Sequence, residues 1–275
     1  MITSPTNERV KAAAKLVHDR RARAAAGRFA VEGYRELRRA LDAGVAIETI
    51  FFCPDLYLKG NEPALVERAV ARGAAATEVT RRVFGKLSYR DRPEGLFAVA
   101  ATFDVSLGRL PAAPTLVLVL EGIEKPGNLG AMLRTACAAG AGAVVVADPV
   151  TDVFNPNVVR SSVGMVFSIP IGVGSVEECA AWLRAAGLRL VASTPGADRP
   201  LWEVDLRPPV AIAVGSEQYG LGEALLAASD ERAVIPMPGD ADSLNAAAST
   251  AIALFEAVRQ RAAGAGSLDA PNPLP

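Results

Sequence analysis

The sequence predicts an α/β protein built on a parallel sheet, and three observations carry that expectation. Thr115–Leu120, Ala143–Ala147 and Val210–Val214 are apolar without alternation, the pattern of strands covered on both faces. Helical segments separate these runs, so strands recur with crossovers between them. Glycine-bearing breaks follow two strands, at Thr194-Pro195-Gly196 and Gly215-Ser216-Glu217. In open α/β sheets, ligands bind beyond the carboxyl ends of the strands.

In chain order, Asn7 caps a helix expected to run to about Ala26. Val10, Ala13, Ala14 and Val17 fall at helical spacing, with Lys11, Lys15, Arg20, Arg21 and Arg23 around them. A short strand follows at Phe29–Glu32, then a helix from Tyr34 to about Ala43, stopped by Gly44. A strand at Ile47–Phe52, a helix at Pro63–Arg72, a strand end at Glu78-Val79, a short helix at Arg81–Leu87 and a strand at Leu96–Ala101 complete an N-terminal α/β unit. Thr102–Pro114 loses strand periodicity and reads as a linker.

Beyond it, the strand Thr115–Leu120 leads through a polar loop, Glu121–Gly127, to a helix capped by Asn128 and carrying Arg134, then to the strand Ala143–Ala147, a βαβ unit. Asn155 before Pro156 marks a helix start, with Arg160, Ser161 and Ser162 near its end. A helix at Val176–Ala186, strands at Leu188–Ser193 and Val210–Val214, an apolar run at Ala233–Met237 and an alanine-rich helix at Leu244–Arg261 follow. The domains expected are 1–105, 106–262 and a flexible Pro/Gly-rich tail, 263–275.

The 275 residues are 51% hydrophobic and 21% charged, enough to bury a large core. No apolar run approaches the roughly 18–20 residues of a membrane span, and the first residues lack the apolar core of a signal peptide. Cys53, Cys137 and Cys179 are odd in number and far apart, which argues against a disulfide framework or a zinc site and for a reducing cytoplasm. The net charge of −1 hides an asymmetry: residues 1–105 carry 18 basic and 13 acidic groups, residues 106–275 carry 11 and 17. A basic face can therefore meet phosphates although the whole chain is near neutral.

Three motifs stand out. They are Asn128-Leu-Gly130-Ala-Met-Leu-Arg134; Gly215-Ser-Glu217 with Gly220-Leu221; and Ile235-Pro-Met237 followed by Asp242-Ser243-Leu244-Asn245. In this order they resemble the motifs of the SpoU/TrmH group of RNA ribose 2′-O-methyltransferases, in the SPOUT superfamily. The resemblance spans nearly the whole chain. Phe29–Gly33 with Tyr34–Leu37 and Ala40–Gly44 is similar to the small substrate-binding domain, itself like a ribosomal RNA-binding protein, that precedes many of these enzymes. Arg160-Ser-Ser-x-Gly164-x-x-Phe167 also fits the family.

The resemblance implies a SPOUT-type parallel sheet with a C-terminal trefoil knot, a homodimer, and S-adenosyl-L-methionine as cofactor. It implies cofactor contacts from Thr194 and Gly196, from Gly215, Ser216, Glu217 and Leu221, and from Ile235, Met237, Ser243, Leu244 and Asn245. It puts Arg134 at the ribose hydroxyl with Asn128, Glu217, Ser243 and Asn245 around it. Whether Arg134 acts as base, positions the hydroxyl or binds the adjacent phosphate stays open; an arginine base is awkward because its pKa exceeds about 12. Arg28, Arg35, Arg38 (or Arg39), Arg90 and Arg160 are RNA-contact candidates, because guanidinium forks match phosphates, and Tyr89 is a candidate for stacking on a base. No metal is expected.

One departure is visible: the family's Ser-Leu-Asn-Val-Ser stands here as Ser243-Leu-Asn-Ala246-Ala247, with Ser249 and Thr250 following. Ribosomal RNA is the expected substrate, with transfer RNA the alternative. A non-catalytic RNA-binding protein would not need the Asn128, Arg134 and Asn245 set. A dinucleotide enzyme would need the G-x-G-x-x-G spacing that Gly127 and Gly130 lack.

Overall fold

The computed structural model describes residues 1–265, so most of the expected tail lies outside the described residues. Two units of chain can be distinguished. One holds residues 1–104, 125–134 and 151–168; the other holds residues 105–124, 135–150 and 169 onward.

The first unit opens with α1 (Glu8–His18) and α2 (Arg20–Ala26), where one long helix was expected. Asp19 breaks it: the residue is extended, and its side chain accepts from the Ala22 N–H at 3.0 Å, an N-cap for α2. The apolar stripe ends at Val17, since Arg20 and Arg21 stand at the next helical positions and α2 buries only Arg23. The bend also turns Arg23 inward, 3% exposed, where it donates to the Leu16 carbonyl at 2.8 Å and pairs with Asp152 at 2.8 Å.

The chain continues through β1 (Arg28–Glu32), α3 (Tyr34–Asp42), β2 (Ile47–Phe52), α4 (Glu62–Ala71), β3 (Ala75–Glu78), α5 (Arg81–Leu87) and β4 (Leu96–Ala101). The four strands lie in the order β1-β4-β2-β3. β4 is antiparallel to both neighbours and β3 is parallel to β2. Val10, Ala13, Ala14 and Val17 pack with Phe51, Val83, Phe84 and Phe97 in one core. Phe29 meets Phe103, Phe154 and Phe167 at ring separations of 5.1–6.3 Å, an aromatic cluster that anchors the 151–168 segment.

The second unit is laid on a six-stranded, wholly parallel sheet. Its elements, with α6 and α7 interleaved in the chain, are β5 (Leu116–Glu121), α6 (Pro126–Ala138), β6 (Ala143–Ala147), α7 (Pro156–Ser161), β7 (Ile171–Gly174), α8 (Val176–Ala185), β8 (Arg189–Ser193), β9 (Val210–Val214), α9 (Glu223–Ala228), β10 (Glu231–Ala233) and α10 (Ala246–Ala265). The strand order is β10-β8-β9-β5-β6-β7. Every residue of β5, β6 and β9 is buried, as their unbroken apolar runs require.

Three expectations need correction. β7 was not foreseen; its short run carries Gly172 and Gly174 and follows Pro170. The glycines are there for space: a Cβ at Gly172 would lie 2.6 Å from Leu110 Cδ1, and one at Gly174 3.0 Å from Leu107 Cδ1. The apolar run Ala233–Met237 is mostly loop; β10 ends at Ala233, at the sheet edge, and Val234 forms an isolated bridge with Pro200. Helix α6 starts at Pro126, so Asn128 is in its first turn and not at its cap, and the Asn128 N–H reaches the Lys125 carbonyl at 3.0 Å.

Candidate active site

Three loops at the carboxyl side of the second unit's sheet enclose a cavity of about 330 Å³. β8 delivers Ser193, Thr194 and Pro195; β9 delivers Val214 through Leu221; the chain after β10 delivers Val234, Ile235, Met237, Ser243 and Leu244. The lining combines apolar surface from Leu221, Ile235, Met237 and Leu244 with hydroxyls from Ser216, Ser243 and Ser249. That mixture and volume suit a small organic ligand.

The glycine loop has a definite shape. Ser216 and Gly220 exchange both backbone hydrogen bonds, each at 3.0 Å, and Ser216 Oγ accepts from the Tyr219 N–H at 3.0 Å. A Cβ at Gly215 would overlap the Gly220 carbonyl, so only glycine fits there. Glu217 Oε1 accepts from Asn245 Nδ2, and Asn245 Oδ1 accepts from the Ala247 N–H at 3.0 Å, capping α10. Asn245 thus joins the second and third loops.

Of the residues expected at a cofactor, Thr194, Gly215, Ser216, Glu217, Leu221, Ile235, Met237, Ser243 and Leu244 line this cavity. Gly196 and Asn245 are not in its wall; Asn245 stands behind Glu217. Where the family pattern departs, Ala246 lines the cavity together with Ser249, and Thr250 is buried with Oγ1 donating to the Ala246 carbonyl at 2.9 Å.

Sequence reasoning missed Gln218 and Tyr219, both in the wall and Tyr219 75% exposed. It also missed Glu121, the last residue of β5, whose Oε2 accepts from the Gly222 N–H at 2.7 Å. A charged residue ending an otherwise apolar strand was the available signal. Burial raises the Glu121 pKa, the Gly222 N–H opposes this, and Asp148 adds to it.

Asn128 and Arg134 lie in the part of α6 that belongs to the first unit. A Cβ at Gly130 would overlap Ser161 Oγ and lie 2.6 Å from the Val158 carbonyl, so α6 packs backbone-close on α7. Arg134, one turn further along, is exposed. After α7 the chain makes a strained turn, with Val163 at φ 52° and Gly164 at φ 79°. Arg39 donates to the Val163 carbonyl. Burial lowers the Arg39 pKa, and repulsion from Arg38, Arg134 and Arg35 lowers it further, which puts these four cations in one neighbourhood.

The other RNA-contact candidates divide. Arg35, Arg38 and Arg160 are exposed and have no ion pair among the described residues. Arg28 is exposed but pairs with Glu48 at 2.5 Å. Arg90 is not a surface group. Its side chain is 9% exposed and bonds to Glu94 Oε1 at 2.7 Å, Glu36 Oε1 at 3.0 Å and the Glu32 carbonyl at 2.7 Å. Three partners at once hold it in the fold, where a run of loop residues had suggested an exposed contact. Tyr89, expected to stack on a base, is half-buried, and its hydroxyl donates to the Pro156 carbonyl at 3.0 Å.

No helix among the described residues is long and apolar enough to cross a membrane. Comparison with known proteins gives a consistent result. The model of the SpoU rRNA Methylase family matches residues 115–255, and that of the MRM3-like substrate binding domain matches residues 7–98. The chain is similar to the 23S rRNA (uridine(2479)-2'-O)-methyltransferase of Streptomyces viridochromogenes, 32% identical over 90% of this chain and 88% of that one. Among solved structures it is similar to an RNA 2'-O ribose methyltransferase, with 45% identity, TM-score 0.82, and 94% of this chain and 98% of that chain covered. An AdoMet-bound rRNA methyltransferase from Sinorhizobium meliloti superposes with TM-score 0.86 at 33% identity, covering 94% and 97%.

Proposed function

The chain belongs to the SpoU rRNA methylase family, and from that premise we propose that it methylates a ribose 2′-hydroxyl of ribosomal RNA with S-adenosyl-L-methionine. The observation that carries the reading is the convergence of the three motif loops on one cavity. The cavity fits the cofactor. Leu221, Ile235, Met237 and Leu244 offer an apolar slot for a purine, while the serine hydroxyls and main-chain groups of Thr194, Gly215 and Ser216 offer polar partners. Gly196, next to this loop, has open space where a Cβ would stand.

When bound, S-adenosyl-L-methionine supplies an electrophilic methyl group on a sulfonium. The rest of the chemistry is alignment and removal of the hydroxyl proton, and it asks for no metal. Arg134 is assigned to the ribose hydroxyl, as base, positioning group or ligand of the adjacent phosphate, with Asn128 earlier on the same helix. Glu217 and Ser243 supply polar groups to the cofactor site, and Asn245 holds Glu217 from outside its wall. The Asn245 amide, donating to Glu217, orients that carboxylate and supports reading Glu217 as an acceptor held in place rather than as the base.

Residues 1–105 are read as the RNA-binding domain, of ribosomal-protein type, and residues 106–262 as the methyltransferase domain with a trefoil knot in its carboxyl half. The unpaired, exposed Arg35, Arg38 and Arg160 support a phosphate-binding role, with Arg28 able to exchange Glu48 for RNA. A homodimer is supported by Ile252 and Phe255 on α10, apolar and 40% and 47% exposed. The enzyme is placed in the cytoplasm, with its RNA.

The test is transfer of labelled methyl from S-adenosyl-L-methionine to ribosomal RNA lacking the modification, wild type beside Arg134→Ala. Label recovered as an alkali-resistant dinucleotide, and lost in the variant with cofactor affinity retained, is the expected result. No cofactor binding by the wild type would sink the reading.

A further inference from the structure

Glu121 sits at the carboxyl end of β5, an inner strand of the parallel sheet, and is 9% exposed. It has no ion pair among the described residues. Burying a carboxylate without a counter-charge costs stability, so its position there calls for a reason. A hydrogen bond crosses 101 residues of sequence to reach it, from the Gly222 N–H to Oε2 at 2.7 Å. The carboxylate also fills the space beside Gly222: a Cβ there would lie 2.8 Å from Glu121 Oε1. Gly220 and Leu221, directly before, are in the wall of the cavity, whereas Glu121 is not. The loop is closed on itself by the Ser216–Gly220 bonds, and Glu121 ties that closed loop to the sheet.

We propose that Glu121 is a positioning residue for cofactor binding: through Gly222 it sets the Gly215–Gly222 loop and so the Leu221 side of the cavity. This rests on the cofactor reading above. The groups acting on Glu121 are the Gly222 N–H and the carboxylate of Asp148, which follows β6. As pH falls through its raised pKa, the carboxyl takes a proton, the Gly222 N–H loses a charged acceptor, and the loop loosens. Cofactor affinity therefore declines on the acid side.

The experiment is calorimetric titration of the full chain with S-adenosyl-L-methionine across pH, for wild type, Glu121→Gln, Glu121→Ala, Gly222→Ala and the Glu121→Ala/Gly222→Ala double variant, with Tm measured for each. Glu121→Ala and Gly222→Ala should each weaken binding by roughly tenfold or more, the worth of a hydrogen bond to a charged group. The double variant should be no weaker than the worse single one, because both changes break the same tie. Glu121→Gln keeps an oxygen acceptor without the charge, like the protonated carboxyl, so at neutral pH it should already bind about as weakly as wild type does on the acid side, and it should lose most of the acid-side decline. Additive losses in the double variant, or a Glu121→Gln profile that follows wild type at every pH, overturn the proposal while leaving the cofactor reading intact. Should Glu121→Ala fail to fold, Glu121→Gln and Gly222→Ala decide it. Failure of wild type to bind the cofactor overturns both.

Discussion

Replacing Arg90 by alanine separates two roles for the same residue. As an RNA contact it would be dispensable for stability. In the structure it is the hub of a buried network, joined to Glu36, Glu94 and the Glu32 carbonyl, with side-chain exposures of 9% for Arg90 and 6% for Glu36. Removing one partner of such a pair leaves a buried charge uncompensated, at a cost of about 3–5 kcal/mol. At about 2–4 °C per kcal/mol for a chain of this size, Tm should fall by about 6–20 °C. The deficit has a definite pH dependence. Burial raises the Glu36 pKa above its unfolded value, and Arg90 pulls it back. A raised carboxyl contributes stability that is complete below the unfolded pKa and is lost as pH rises through the folded one. Without Arg90 the folded value climbs further, so the deficit is largest at neutral pH and shrinks as pH approaches 4.5, the ordinary glutamate value. Scanning calorimetry at several pH values measures this. A Tm within about 2 °C of wild type, together with a salt slope of RNA binding reduced by about one, would refute the network account and restore the RNA contact.

Other variants test neighbouring claims. Gly130→Ala should cost about 1–3 kcal/mol in denaturant titration, because the new Cβ collides with α7 backbone 2.6 Å away. Phe29→Ala, emptying a fully buried ring site beside Phe103, Phe154 and Phe167, should cost about 3–5 kcal/mol in the same assay. Asn245→Ala should cost about 1 kcal/mol through the lost cap of α10 and should also weaken cofactor binding in calorimetry, since the Asn245 amide no longer orients Glu217.

Much of this site was legible in the chain. Gly215, Ser216, Glu217, Leu221, Ile235, Met237, Ser243 and Leu244 were named from motifs, and all line the cavity. Motif residues are legible because loops at strand ends carry their chemistry locally, in consecutive residues. Glu121, Gln218 and Tyr219 were not: the charge ending an apolar strand marked Glu121 as unusual but could not name Gly222 as its partner, and Gln218 and Tyr219 carried no signal. Arg90 was read as exposed because its loop is polar; its three partners come from β1, α3 and its own turn, and only the packed chain brings them together.

The sequence by itself determined the parallel sheet, since unbroken apolar runs in β5, β6 and β9 have no stable place except between two covering layers. It also marked the glycine-bearing loops, while the structure showed that, of Gly196 and Gly215, only Gly215 has no room for a Cβ. The tertiary structure alone decided that Asp19 splits the first helix and that β7 extends the sheet despite its glycines. It decided, too, that residues 125–134 and 151–168 group with the N-terminal part of the chain and that Glu121 reaches Gly222. The physical reason is the range of the interaction. Periodicity and turn chemistry act over a few residues and are written in order along the chain. Strand order, close backbone approach and buried charge pairs join positions up to 129 residues apart, as Arg23 and Asp152 are, and exist only once the chain has packed.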